Sequence, residues 1–152
     1  MTGGWLVVGY GNALRTDDGV GWHLAERLAA DPRFDDVEVL QRHQLTPELA
    51  LDFANAASVV LVDASNAVPA GTFTIARVQP AATADTTSSH HVDPAALIAL
   101  ALDLYERAPD VFVVSCGAES FEVGDRLSPV VADALPQILD AVAELVSRAS
   151  TA

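Results

Sequence analysis

Apolar residues along the chain fall into short unbroken runs separated by longer stretches of helical spacing. Trp5 to Val8 is one such run, the pattern of a strand buried on both faces. Val20, Leu24 and Leu28 then recur at helical spacing and predict a helix over residues 20–30, closed by DPRF. A short strand over 37–40 follows, then QRHQL as a loop. Thr46 and Pro47 come next as N-cap and first residue of a helix running through Ala56. Ser58 to Val62 is the next central strand and delivers Asp63 at its carboxyl end. Residues 72–78 alternate in polarity as an edge strand does, whereas residues 79–92 lack periodicity and predict a long loop. Asp93-Pro94 opens a third helix carried by Ala96, Leu97, Leu100, Ala101 and Leu104. Val111 to Val114 is the last strand, and Ser128-Pro129 opens a closing helix with Val130, Leu135, Ile138, Val142 and Leu145 as its apolar stripe. With no internal repeat and no linker, this order predicts a single α/β domain over residues 1–152. Its architecture is three-layer α/β/α, with a mainly parallel five-stranded sheet and helices on both faces.

Composition narrows the function classes. Apolar residues form 51% of the chain and charged residues 19%, as suits central strands covered on both sides. A net charge of −13 with only 8 Lys and Arg argues against nucleic acid and favours an uncharged, basic or cationic partner. The single cysteine, Cys116, sits in the buried-type run VFVVSCG, cannot form an internal disulfide and suits a reducing cytosol. No charged region followed by a long apolar core opens the chain, so no signal peptide is expected. The apolar runs fall short of the ~20 residues that span a bilayer, so the expected protein is soluble, cytoplasmic and free of membrane.

Candidate chemistry gathers on residues 5–24, WLVVGYGNALRTDDGVGWHL, where glycines and two adjacent carboxylates share one strand-to-helix connection. In open α/β sheets ligands bind outside the carboxyl ends of the strands. Asp17 and Asp18 follow the first strand, Asp63 ends the third, and His90 and His91 precede the third helix. Glu119 and Glu122 follow the last strand. Two carboxylates and an imidazole meeting there would hold a divalent metal with positions left open. By spacing alone, Asp17 or Asp18 serves equally as an N-cap and Asp63 as a turn cap, while His23 and His91 fit surface or packing roles. GYGNAL resembles the start of a dinucleotide fingerprint, but Leu14 stands where the third glycine belongs and VEVLQ lacks the distant acid, so no nucleotide is expected. No G-x-S-x-G elbow or P-loop is present.

Taken together, GYGNALRTDDGVGWHLAERL, VLVDAS, SSHHVDP and GAESFEVGDRLSPVVADALPQIL resemble, in order and spacing, the hydrogenase maturation proteases. These endopeptidases remove a C-terminal extension from the nickel-containing hydrogenase large subunit. The resemblance implies a twisted five-stranded sheet with helices on both sides. It implies a nickel-reading and catalytic site of Asp18, Asp63 and His90, with nickel supplied by the precursor substrate. It further implies that Gly9, Gly11, Asn12, Asp17 and Gly19 lie against the precursor, the glycines by letting it approach the backbone closely. Many members carry an Asp-Gly-Gly-Thr-like segment after the second strand, associated with substrate choice; this chain has Gln41, Arg42, His43 and Gln44 instead, placing His43 and Gln44 among the expected substrate contacts. The rival expectations are a nickel-sensing or chaperone-like module that binds immature hydrogenase without cutting it, and a small-molecule hydrolase or nucleoside phosphorylase-like enzyme.

Overall fold

The computed structural model describes residues 4–82 and 92–151. Its strands are β1 (Trp5–Tyr10), β2 (Glu38–Arg42), β3 (Ser58–Ser65), β4 (Phe73–Val78) and β5 (Asp110–Gly117), and its helices are α1 (Val20–Ala29), α2 (Leu49–Ala54), α3 (Pro94–Tyr105) and α4 (Pro129–Thr151). The strands form one sheet in the order β2-β1-β3-β5-β4. Every neighbouring pair is parallel except β4 with β5. The predicted α/β sheet with helices is therefore the observed one.

Alternation along the central strands builds two cores. Leu6, Val8, Val59 and Leu61 point to one face and pack with Leu49 and Phe53 of α2 and Leu97 and Ala101 of α3. Val7, Val60, Val62 and Val114 point to the other face and meet Leu24 and Leu28 of α1 and Leu135, Ile138 and Val142 of α4. Because β1 and β3 are buried on both sides, their sequence is a continuous apolar run. β4 is the antiparallel edge that its alternation predicts, with Thr74 to Arg77 exposed. Arg77 Nη2 reaches Asp110 Oδ1 at 2.6 Å on the neighbouring strand.

The observed boundaries depart from the expected ones in four places. β2 runs on through Gln41 and Arg42, which pair with Gly9 and Tyr10 instead of opening a loop. α2 begins at Leu49, since Thr46 and Pro47 form a turn whose carbonyls accept from Leu49 N and Ala50 N. Asp63 lies within β3, opposite Ser115 of β5, two residues before the strand ends. On α4, Val131 is the buried residue and Val130 is 37% exposed, a shift of one position around the first turn. The α3 boundary is as predicted: Asp93 Oδ1 accepts from Ala96 N at 2.8 Å, and Pro94, whose missing N–H is no loss there, opens the helix.

The strand order places β1 centrally, with β2 on one side and β3 on the other. The chain leaves β1 through α1 in one direction and returns past it in the other, so a crevice opens between the carboxyl ends of β1 and β3. That crevice is where the candidate residues must be sought.

Candidate functional site

The turn after β1 is built by close backbone approach. A Cβ on Gly9 would land on the carbonyl oxygen of Gly21, so glycine is required for α1 to lie directly against β1. Gly11 has φ +138°, and a Cβ there would strike the carbonyl oxygen of Asp18. Gly19 is buried against Ala13. Gly9, Gly11 and Gly19 are all buried, and the close approach that each permits is to the protein's own backbone.

From Gly11 the chain enters an Asx turn. Asn12 Oδ1 accepts from Leu14 N at 2.9 Å, and Asn12 N donates to Asp18 Oδ2 at 2.8 Å. Thr16 to Gly19 then form a single 3₁₀ turn leading into α1. This turn separates the two aspartates. Asp17 is 0% exposed and points inward, whereas Asp18 is half-buried and faces the crevice.

Asp17 is a hub. Its Oδ2 accepts from Glu119 N at 2.9 Å, Ser120 N at 3.0 Å and Ser128 Oγ at 2.7 Å, and its Oδ1 accepts from Ser128 N at 2.8 Å. Burial alone would raise its pKa; the bonds from Ser128, Glu119 and Ser120 outweigh that and hold it below the usual carboxylate range. A carboxylate so enclosed cannot touch a precursor, so Asp17 ties the loop after β5 to the turn after β1 and is not a substrate contact. The same two loops are joined through backbone bonds. Thr16 N donates to Gly124 O at 2.9 Å, Gly124 N to Leu14 O at 2.9 Å, and Asp17 N to Ser120 O at 3.0 Å. Arg15 Nε adds a bond to Phe121 O at 3.1 Å, and Thr16 Oγ1 one to Glu122 O at 2.6 Å.

Asp63 reaches the crevice from β3. Gly9 is in register with Val62, which sets Tyr10 beside Asp63. Desolvation raises the Asp63 carboxyl to about 6; the Tyr10 hydroxyl opposes this, and the nearby negative charge of Asp18 adds to it. Burial and the charge of Asp63 together raise the Tyr10 phenol above its ordinary value. Asp18 is thus near enough to Asp63 for its charge to act there.

Sequence reasoning overlooked Tyr10, although its place one residue past Gly9 on the strand beside β3 is the signal that would have found it. Tyr10 also lines a cleft of about 430 Å³ with Gln44, Leu45, Val92, Asp93 and Pro94. His43 is exposed and Gln44 half-buried at the end of β2, where Arg42 O accepts from Gly11 N at 3.1 Å and Trp22 Nε1 at 3.0 Å. His90 lies outside the described residues, as does His91. Among the described residues no group of three His, Cys, Asp or Glu forms a metal-binding cluster. Cys116 is buried on β5, and burial together with the Asp63 charge pushes its thiol up to about 12, so it is no thiolate at neutral pH. Glu119 and Glu122 are exposed on the loop that Asp17 anchors.

A family model described as hydrogenase maturation protease matches residues 22–145, a span that contains Asp63 and His90 and begins after Asp18. Among solved structures, the chain is similar to the hydrogenase maturating endopeptidase HybD from E. coli, at 26% identity over 96% of this chain and 93% of that one, with a TM-score of 0.72. It is similar to an endopeptidase from Escherichia coli solved in solution, at 28% identity over 91% of this chain and 89% of that one, TM-score 0.69. It shares its fold with the NiFe-hydrogenase maturation protease HycI from Thermococcus kodakarensis KOD1, at 22% identity over 95% and 92% of the two chains, TM-score 0.71. A search of curated proteins finds no match. No helix among the described residues is long and apolar enough to cross a membrane.

Proposed function

The chain belongs to the hydrogenase maturation protease family, and from that membership we propose that it removes the C-terminal extension of a nickel-loaded hydrogenase large-subunit precursor. In this reading Asp18, Asp63 and His90 take hold of nickel that arrives in the precursor, so that cleavage follows metal loading. The observation that carries the reading is that Asp18, on the turn after β1, and Asp63, on β3, lie near enough at the switch point of the sheet for the charge of one to act on the other. Two carboxylates and an imidazole are a donor set that suits a divalent first-row metal with positions left for substrate.

The chain's own groups have separable tasks. Asn12 N holds Asp18 Oδ2 at 2.8 Å and so orients the carboxylate. Tyr10 orients Asp63, and its ring forms one wall of the adjoining cleft. Nickel would supply the positive charge that polarises a carbonyl or a bound water at the scissile bond. The exposed His43 and half-buried Gln44 lie at the end of β2, where they would meet the precursor.

The test is incubation with nickel-loaded precursor and measurement of the large subunit's mass. The wild type shortens the subunit. Asp18→Ala, Asp63→Ala and His90→Ala each reduce the rate at least ~100-fold with the fold intact by circular dichroism. Stable binding by the wild type with an unchanged subunit mass refutes the cleavage and leaves a non-proteolytic module that recognises immature hydrogenase.

A further inference from the structure

The two most exposed large apolar residues among those described are Val123, at 92%, and Leu14, at 66%. They are neighbours in space although far apart in sequence. Arg15 and Gly124 form a parallel bridge, and Gly124 N donates to Leu14 O, so Leu14 and Val123 stand side by side on the two loops that Asp17 ties together. A mobile loop could fold such side chains inward. Here both loops are fixed: Leu14 N is held by Asn12 Oδ1, and Thr16 N and Oγ1 are bound to Gly124 O and Glu122 O. The fold thus holds two apolar side chains outward on a rigid support, against the hydrophobic effect.

Their place relative to the site is equally definite. Asn12 bonds to Leu14 N through its side chain and to Asp18 Oδ2 through its own N–H, so Leu14 is two hydrogen bonds from a carboxylate of the candidate site. Leu14 and Val123 thus stand on the rim beside the turn that carries Asp18. A second copy of the chain is the poorer occupant, because two bodies of net charge −13 repel.

We propose that Leu14 and Val123 form a docking point for an apolar patch on the protein substrate, beside the segment that is cut. The proposal rests on the peptidase reading above for the identity of that substrate. It also gives a function to the residue that stands in place of the third fingerprint glycine.

The experiment measures binding of the nickel-loaded large-subunit precursor to the full chain with Asp63 intact, by biolayer interferometry in the association phase at low temperature, where little is cleaved. Leu14→Ser/Val123→Ser is expected to weaken binding about tenfold or more, each single change giving part of the loss. Leu14→Met/Val123→Ile restores it, and the melting temperature of all variants matches the parent. Unchanged affinity in the double serine variant overturns the proposal. So does self-association of the parent that the double variant abolishes while precursor affinity stays the same. Binding that depends on the rim without cleavage by the wild type refutes the peptidase reading and leaves the docking point standing. Cleavage with rim-independent binding does the reverse, and absence of any precursor binding refutes both.

Discussion

Two carboxylates, the buried Asp17 and the half-buried Asp63, sit at neighbouring points of the same end of the sheet and behave in opposite ways. Asp17 receives four hydrogen bonds from Glu119, Ser120 and Ser128 and is held below the usual carboxylate range. Asp63 has the hydroxyl of Tyr10 and the backbone of Ala64 beside it, faces the charge of Asp18, and is raised to about 6. Burial disfavours ionisation in both; the supply of donors decides the outcome. Where many donors meet a carboxylate its charge is stabilised, and where desolvation and a like charge meet it the charge is disfavoured.

This contrast can be broken from either side. The largest effect is expected from Asp17→Ala, which leaves the donors of Glu119, Ser120 and Ser128 without an acceptor inside the fold. Denaturant unfolding should show a loss of about 3–5 kcal/mol at neutral pH. Because the folded pKa of Asp17 is depressed, its stabilisation is present above about pH 4 and fades as pH falls through the folded value, so wild type and variant converge in acid.

The opposite sign is expected for Asp63→Asn. A folded pKa of about 6 against 3.8 unfolded means that the native state holds an extra proton between those values, so wild-type stability falls as pH rises from about 4 to about 6. Removing the charge should therefore stabilise the protein by about 1–2 kcal/mol at pH 8, allowing for solvent screening, with no gain below about pH 4. A loss of stability at pH 8 would contradict the account of an under-satisfied carboxylate. The smallest effect is expected from Ser128→Ala, which deletes one hydroxyl donor to Asp17 and should cost about 1 kcal/mol by thermal or chemical unfolding.

The strands were legible because their signals are local. A continuous apolar run marks β1 and β3, alternation marks β4, and Asp93-Pro94 marks the start of α3. The place of Asp63 near the carboxyl end of a buried strand was legible because the apolar run before it marks that strand. The division of labour within Asp17-Asp18 was only half legible. Adjacent acids look alike until Glu119, Ser120 and Ser128 arrive from more than a hundred positions away to enclose one of them. The glycines misled for a related reason: a need for close approach is visible in sequence, but not whether the approaching group is a substrate or, as at Gly9, the protein's own helix. Thr46-Pro47 imitates a helix start as Asp93-Pro94 does, yet the turn it forms delays α2 to Leu49.

The bonds from Asp17 to Ser128 join residues 111 positions apart, and this fixes when the site can form. At the usual pace of ~5–20 residues per second, Ser128 is made roughly 5–20 s after Asp17. During that interval the turn after β1 exists as sequence but lacks the contacts that hold it. Of Asp18, Asp63 and His90, Asp18 is translated first, yet the turn that carries it is fully tied down only when α4 begins. A chain truncated before residue 128 lacks the Ser128 bonds to Asp17 that complete this frame.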